Sequence, residues 1–555
     1  MPRTLLGALS TLVITSALTA CMNAGQETSV APSASSGQVT APAATPTISY
    51  FAAARLAEQA TFGANPTVVA DIRGKGMERW IDDQLALPAT RLNLEHTAGF
   101  PELTSAEQYA QYQLMFLNAA VGAADQLRMR VAWALSQVVV VSDRKTELYG
   151  VAYWKDFMVQ KSLGLYGDLL VETTIHPAMG NFLDNSQNRP KSTSCPNCAP
   201  NENYARELMQ LFTIGVVKLN PDGTLMRDSQ GRQQETYTQR DVEELARALT
   251  GWEFNPLPAN RPGRDWGNWT RPMTAATWNG ARDSGSKQVM GRTFPAGQSA
   301  AQELRAVVDF LIAHPNTAPF MATRLIQHLV KSNPSPAYVQ RVAAVFQNNG
   351  RGVAGDLKAV VRAILLDAEA RAGDVPGNGR TDDGKLREPF LSHSALWRGL
   401  GCARWPSRGT HVPLPTLQRP FSAESVFNFY APTDRAPGSN LLAPEQRILN
   451  ANEFTQRLGM VGALLWDHEA QRQNLDAYNA AGCDMQGLVN AYTESPSSFI
   501  DYLAQRFFRG TMPPTLRATL EQQIRKPIWD TNNPFEGPTL LLAFSMTSPY
   551  FGAMR

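Results

Sequence analysis

The 555-residue sequence carries little excess charge and few cysteines. Lys and Arg total 51 against 49 Asp and Glu, giving a net charge of +2, so a nucleic-acid-binding face is not expected. Five cysteines are too few for a disulfide scaffold. The hydrophobic fraction of 43% is ordinary for a globular protein, and the chain is long enough for a large core.

The signatures of several enzyme classes are also missing. His468-Glu469 lacks the second His of a zinc-protease helix, and no G-x-S-x-G nucleophile motif is present. Residues 379–385 have the spacing of a phosphate loop, but Leu386 replaces the Ser or Thr that would hold Mg²⁺. The seven histidines show no local metal-ligand spacing, so we predict neither a metal site nor a cofactor.

The first residues have the pattern of an export signal. Arg3 precedes the apolar run Leu5–Leu18, which is too short and too rich in Ser and Thr to span a bilayer comfortably. The run ends in Leu18-Thr19-Ala20-Cys21, which matches the bacterial lipobox. We therefore predict that residues 1–20 are a lipoprotein signal peptide and that acylated Cys21 anchors the chain in the membrane. No Asp follows Cys21, so we expect the outer membrane, facing the periplasm or the cell surface.

The remainder divides into a tether and a body. Residues 21–48 are predicted to be a disordered tether, because small and polar residues dominate there. Residues 49–555 are predicted to form a mainly α body of many helices joined by long loops. Thr317–Val330 shows helical apolar spacing, and Thr238–Asp241 resembles a capping box. We interpret the β-branched run Val138–Val141 as part of a buried helix.

Strand-like signal is confined to one place in the sequence. The apolar run Val216–Leu219 is followed by two groups of turn-forming residues, Asn220–Gly223 and Asp228–Gly231, with a short extended stretch between them. This pattern predicts one small, protruding β-hairpin on the helical body.

Four cysteines lie outside the proposed anchor. Cys195 and Cys198 form a C-x-x-C pair, but Ala199 replaces the His of a haem attachment site, and zinc would need two further ligands. We predict that Cys195 and Cys198 form a small-loop disulfide and that Cys402 and Cys483 form a second, long-range one.

Two segments concentrate polar residues that are able to carry chemistry. They cover residues 176–185 and 201–212. A Glu held near an Arg and a His is able to do acid–base work. The same residues would equally form a buried hydrogen-bonded network that fixes a loop against the core. The candidate catalytic residues are His176, Asn181, Tyr204, Arg206 and Glu207.

These segments also carry a resemblance to a known family. The sequence resembles the bacterial family called domain of unknown function 1800, from about Phe51 through the Ala443-Pro444-Glu445 region and on to the C-terminus. The resemblance implies an exported, mostly helical protein and an exported partner of sulfatase-like character. It carries over the five candidate residues named above. Its motifs in this chain are HPAMGNFL, NENYARELMQLFTIGV, YTQRDVEELARALTGW, HPNTAPFMATRLIQHLVKSNPSPAYVQRVAAVF, GDLKAVVRAILLDAEAR, GKLREPFL and SVFNFYAP.

The chain departs from the family pattern at one point. Many members carry a Phe-Trp-His-Asn-His-Phe-like segment after an Arg-x-Arg helix. Here Arg128-Met-Arg130 is followed by Val131-Ala-Trp-Ala-Leu-Ser-Gln137, so the His positions are apolar or amide. Metal chemistry built on those histidines is therefore not expected.

Two hypotheses of function follow from the sequence. The first is an accessory or interaction lipoprotein of the cell envelope. It is favoured because a large helical body follows a membrane tether and because the sequence lacks catalytic signatures. The second is an envelope enzyme of hydrolase type, with His176 as acid or base and Glu207 oriented by Arg206.

Overall fold

The structure is a computed structural model that describes residues 48–94, 105–191, 196–256, 268–377, 382–414, 416–462 and 475–555. The predicted signal peptide, the lipidation site Cys21 and the tether up to residue 47 lie outside the described residues. In the described parts the chain is mainly helical, which confirms the predicted fold class.

The first half of the chain contributes ten of the described helices. They are α1 (Tyr50–Ala60), α2 (Pro66–Lys75), α3 (Met77–Ala86), α4 (Ala106–Gly122), α5 (Gln126–Ser136), α6 (Leu148–Lys161), α7 (Tyr166–Thr174), α8 (Pro177–Phe182), α9 (Asn203–Gln210) and α10 (Gln239–Ala248).

The second half continues the same architecture. Its described helices are α11 (Ala300–Ala313), α12 (Thr317–Leu329), α13 (Pro336–Gln347), α14 (Leu357–Leu366), α15 (Ala368–Arg371), α16 (Pro389–Gly399), α17 (Ala451–Gly462), α18 (Met485–Glu494), α19 (Pro496–Phe507), α20 (Pro514–Arg525), α21 (Glu536–Thr547) and α22 (Pro549–Gly552).

Local sequence explains where many of these helices begin. Thr238 and Asp241 form the expected capping box at the start of α10, each side chain accepting from the other residue's backbone N–H. Ser299 and Gln302 do the same at α11. These caps satisfy N–H groups that a helix start leaves without partners.

The core joins helices that are distant in the chain. Trp133 of α5 meets Phe390 of α16 with ring centroids 4.9 Å apart. Phe116 of α4 meets Phe421 at 5.0 Å, in edge-to-face geometry. All four side chains are nearly fully buried, so the C-terminal part of the body packs on the N-terminal helices.

Short β-elements fasten loops to this helical body. The described strands pair as β1 (Trp252–Glu253) with β2 (Thr274–Ala275), β3 (Lys287–Val289) with β4 (Arg292–Phe294), and β5 (Lys385–Leu386) with β6 (Ala553–Met554). The predicted hairpin is present as extended segments linked by isolated bridges, among them Leu219 to Leu225. The paired strands were not expected, because elements of two or three residues leave no periodic signal.

The helical interpretation of Val138–Val141 is wrong. Helix α5 ends at Ser136, and the four buried valines follow in a turn, where the Val139 N–H still donates to the Leu135 carbonyl at 2.8 Å, and in an irregular segment. Buried apolar runs this short do not reveal whether the backbone is helical, because apolar content alone carries no helical period.

The long-range cysteine pairing is confirmed. Cys402 and Cys483 form a disulfide whose Cα atoms are 3.9 Å apart. Cys195 lies outside the described residues, so its pairing with Cys198 stays a prediction. In the described part of the chain, no helix is both long enough and apolar enough to cross a membrane.

Candidate functional site

His176 caps helix α8 with its own side chain. Its Nδ1 accepts a hydrogen bond from the backbone N–H of Ala178 at 3.2 Å. The ring packs against Trp154 and Phe157, each with a centroid distance of 5.0 Å. Burial lowers the pKa of His176 to about 3, so the ring is neutral at pH 7.

This capping bond also selects the tautomer of the ring. A neutral imidazole has one protonated nitrogen and one nitrogen with a free lone pair. Because Nδ1 of His176 accepts from Ala178, the proton lies on Nε2. The lone pair that a general base needs is therefore already engaged, and His176 offers a ligand an N–H donor instead.

A solvent-open pocket of about 400 Å³ lies beside His176. One wall is a single face of α6, lined by residues spaced i, i+3, i+4, i+7 and i+8. The volume falls in the range of about 300–1,000 Å³ that is usual for small-molecule sites. We call it the His176 pocket; its lining consists of Arg91, Tyr153, Asp156, Phe157, Gln160, Lys161, His176, Pro177, Trp269, Thr270, Arg271 and Pro272.

The carboxylate of Asp156, which lines the pocket, accepts hydrogen bonds from three neighbouring residues. Oδ1 of Asp156 accepts from the backbone N–H of Leu92 at 2.9 Å and from Nε2 of Gln160 at 3.3 Å. Its Oδ2 accepts from Nη1 of Arg91 at 3.1 Å. Asp156 therefore positions Arg91 and Gln160, and has little capacity left to bind a ligand.

Cations dominate the remaining charge of the lining. Arg91 is 75% exposed and Lys161 pairs with Glu172 at 2.6 Å on the surface. Arg271 is exposed and makes no ion pair with any described residue. Arg91 and Lys161 are thus each paired with a carboxylate, and Arg271 is the cation of the lining whose charge no described residue compensates.

Trp269 lies closely against helix α6. A Cβ atom built on Gly150 would come within 2.5 Å of the Trp269 ring, so the ring lies where only glycine leaves room. The backbone N–H of Met273 donates to the carbonyl of Ile175 at 2.6 Å and ties the Trp269 segment to the residue before His176. Two chain segments distant in sequence are thereby held as one site.

The two predicted polar segments touch each other away from this pocket. The Tyr204 hydroxyl and Oγ1 of Thr174 form a hydrogen bond of 2.7 Å. Nδ2 of Asn203 donates to Asp184 at 3.1 Å, and Asp184 also accepts from Lys145 at 2.7 Å. Burial raises the pKa of Tyr204, so its hydroxyl stays protonated in this network.

The other candidate residues have separate surroundings. Arg206 lies at the surface, where it donates to Glu202 at 2.7 Å and to Gln239 at 3.0 Å. Glu207 is 5% exposed, and burial raises the pKa of its carboxyl although the Arg206 charge opposes this. Its Oε2, like Oδ1 of Asn181, is buried without a hydrogen-bond partner among the described residues.

The structure does not assemble these residues into one hydrogen-bonded set. None of the bonds among described residues joins His176 to Arg206 or to Glu207. Of the five candidates, His176 lines the pocket, while Asn181 and the three α9 residues are absent from its lining. The pocket residues Trp269 and Arg271 were not predicted, because they belong to an aperiodic loop.

Sequence reasoning also missed a buried charged network. Nζ of Lys385 lies 3.1 Å from Glu388 and 3.0 Å from Glu445, and all three side chains are at most 2% exposed. Nη2 of Arg130 and Nζ of Lys385 both donate to the His328 carbonyl, at 2.6 Å and 3.1 Å. We call Lys385, Glu388, Glu445 and Arg130 the buried charge cluster.

Amide side chains complete this cluster. Nε2 of Gln418 donates to Glu388 at 2.6 Å. Gln137, at the point where the chain departs from the family pattern, accepts from Asn428 at 3.2 Å and from the Tyr430 hydroxyl at 3.3 Å. Three of the motifs that carry the family resemblance supply residues of this network: GKLREPFL contains Lys385 and Glu388, SVFNFYAP contains Asn428 and Tyr430, and the motif that begins at His314 contains His328.

The charges in the cluster act on one another strongly. Burial alone would raise the pKa of Glu388, but Lys385 and Arg130 outweigh it and hold that pKa at about 2. Burial raises the pKa of Glu445, with Lys385 opposing. Within the described residues, no group of three or more His, Cys, Asp or Glu is arranged to hold a metal ion.

The fold and the site define a mainly helical protein with an open polar pocket and a buried charged network. A family model described as protein of unknown function (DUF1800) matches residues 55–553. The chain therefore belongs to this family, and the match confirms the resemblance found in the sequence. No curated protein matches the chain. The search of solved structures also finds no match.

Proposed function

We propose that the protein is a lipid-anchored accessory protein of the cell envelope that holds a ligand in the His176 pocket. The lipobox match at Cys21 supports a membrane anchor. The disulfide between Cys402 and Cys483 supports an oxidising compartment, because cytosolic thiols stay reduced. We propose the outer membrane as the location, facing the periplasm or the cell surface, and an exported sulfatase-like protein as a partner.

The tautomer and the protonation state of the His176 ring favour ligand binding over hydrolysis. The bare nitrogen accepts the Ala178 N–H, and the pKa of about 3 keeps the ring neutral. An acid–base catalyst working near neutral pH needs a pKa near that pH and a lone pair facing the substrate. His176 meets neither condition, whereas a neutral N–H donor beside aromatic rings suits ligand binding.

The hydrolase hypothesis retains one observation in its favour. Glu207 has a raised pKa and a buried carboxyl oxygen without a partner among the described residues, as expected of a general acid. The residue is absent from the lining of the His176 pocket. Such a hydrolase would therefore work at a place other than this pocket.

Substitution of His176 by asparagine separates the two functions. Asparagine is a strong N-cap residue, so His176→Asn keeps an acceptor for Ala178 and an N–H donor but removes any proton transfer. In a deletion strain we expect this full-length variant to retain function within about tenfold of the wild type. Loss of an acid–base catalyst would cost about 10²–10⁴-fold.

The melting temperature of each variant is the control, because it separates a loss of function from a loss of folding. We expect Glu207→Gln to rescue the deletion phenotype as well as Glu494→Gln, a change at an exposed residue of α18, and His176→Asn to rescue it within the tenfold limit. A variant that keeps its melting temperature but abolishes rescue would contradict the binding proposal. His176→Ala, which also removes the cap, is expected to be less stable by about 1 kcal/mol.

A further inference from the structure

We propose that the His176 pocket binds an acidic saccharide, one whose sugar rings carry carboxylate or sulfate groups. The inference rests on the proposed function, since it takes this pocket as the ligand site and adds the chemistry of the ligand. Charge, aromatic surface and hydrogen-bonding capacity of the lining all support it.

The charges of the pocket select an anion. Asp156 accepts hydrogen bonds from Leu92, Gln160 and Arg91, so its negative charge is neutralised within the wall. Arg271 is exposed and has no ionic partner among the described residues. A planar guanidinium of this kind pairs well with carboxylate or sulfate oxygens, often through two hydrogen bonds.

The aromatic residues favour rings over an extended chain. Tyr153 and Phe157 are partly exposed in this space, and Trp269 also lines it but is only 4% exposed, because its ring packs against Gly150. Rigid aromatic side chains supply a large contact area at a low entropic cost. An aromatic wall beside polar groups suits a ring with one apolar face and a rim of hydroxyl groups.

Neutral donors and acceptors provide the remaining contacts. His176 contributes Nε2–H, because its other nitrogen caps α8. Nε2 of Gln160 donates to the Thr90 carbonyl at 2.8 Å and to Asp156, which leaves its amide oxygen as an acceptor. A hydroxyl group both donates and accepts, so sugar hydroxyls are able to pair with both.

The pocket suits a peptide less well. Extended peptides usually pair with a free sheet edge, and peptide helices need a long apolar groove. The walls here are a helix face, the start of α8 and the loop segment 269–272, and none of them is a strand of the described sheets. An acidic peptide is therefore the alternative that the test must separate.

Calorimetric titration of the full mature chain tests the proposal. The probes are trigalacturonate, a chondroitin sulfate tetrasaccharide, the methyl ester of trigalacturonate, which is uncharged, and a pentaglutamate peptide. We expect one or both acidic saccharides to bind, more weakly as salt rises, and the ester to bind at least about tenfold more weakly. Binding of the carboxylated or the sulfated probe identifies the source of the charge.

Charge variants locate the binding. Arg271→Ala is expected to weaken binding about tenfold and Arg271→Glu further, because a charged hydrogen bond is lost and then replaced by repulsion. Arg351, exposed in the turn after α13, is the matched control, and Arg351→Glu should change affinity less than twofold. Both sites are exposed, so unfolding is not expected to confuse the result.

Three other results of the titration would overturn the choice of ligand. Equal binding of the ester, preferential binding of pentaglutamate, or no binding by any probe would each overturn the acidic-saccharide inference. In these cases the proposed function stands if Arg271→Glu fails to rescue the deletion strain while Arg351→Glu succeeds. If no probe binds and Arg271→Glu rescues fully, both proposals fail.

Discussion

Lys385→Met is expected to lower the free energy of unfolding by about 3–5 kcal/mol, because it breaks a buried ion pair by removing one partner. Glu388 and Glu445 would then face each other in the interior without the ammonium group that lies about 3 Å from each. Methionine is similar in volume to lysine, so the decrease in the free energy of unfolding measures the effect of the missing charge and not that of a cavity. Denaturant titration of the protein measures it.

Two further variants make this result interpretable. Lys358→Met removes an exposed cation from α14 and is expected to change stability by less than about 0.5 kcal/mol. Lys385→Met combined with Glu445→Gln should recover part of the loss, since one of the stranded carboxylates is now neutral. Equal stability of the Lys385 and Lys358 variants would mean that the cluster does not hold the body together.

The protein is also expected to lose stability steeply between pH 6.5 and pH 5. Burial lowers the pKa of His328 and of His393 to about 3, and neighbouring Lys385 adds to the effect at His328. Below an unfolded-state pKa of about 6.5, the unfolded chain binds protons that the native rings do not bind. Stability is therefore present above pH 6.5 and is lost as the pH falls toward 3.

The size of this loss follows from proton linkage. At pH 5 each fully buried histidine costs about 2 kcal/mol, and His176 adds to this, although its ring is partly exposed at the pocket. The denaturant midpoint should fall between pH 7 and pH 5. His328→Gln should flatten that curve by about one proton, whereas substitution of exposed His411 by Gln should leave it unchanged. A flat curve for the wild type would contradict neutral burial.

Local patterns in the sequence predicted the helical architecture well. The capping box at Thr238 and the apolar spacing of Thr317–Val330 correspond to the starts and faces of α10 and α12, because both depend on residues that are near in sequence. The pairing of Cys402 with Cys483 was found by elimination among few cysteines. The valine run at 138–141 failed because apolar content alone does not fix backbone conformation.

The site was predicted only in part, for a physical reason. His176 was a candidate from the sequence and lines the pocket, whereas its neighbours there, Trp269 and Arg271, are brought to it by loop contacts that no local pattern records. Glu207 is buried beside Tyr204 on the short helix α9, whereas Arg206 of the same helix lies at the surface. None of these three residues lines the pocket that contains His176. The buried charge cluster was not predicted, because its residues are far apart in the sequence, from Arg130 to Glu445.

The protonation state of His176 tests the proposed role of the pocket most directly. Histidine-selective ¹⁵N labelling of the protein, with His176→Asn to assign the signal, reports which ring nitrogen carries the proton as the pH is lowered. We predict that His176 keeps its proton on Nε2 and stays neutral from about pH 8 to about pH 5. A ring that titrates near pH 6.5, or one that carries its proton on Nδ1, would contradict the account and favour acid–base catalysis.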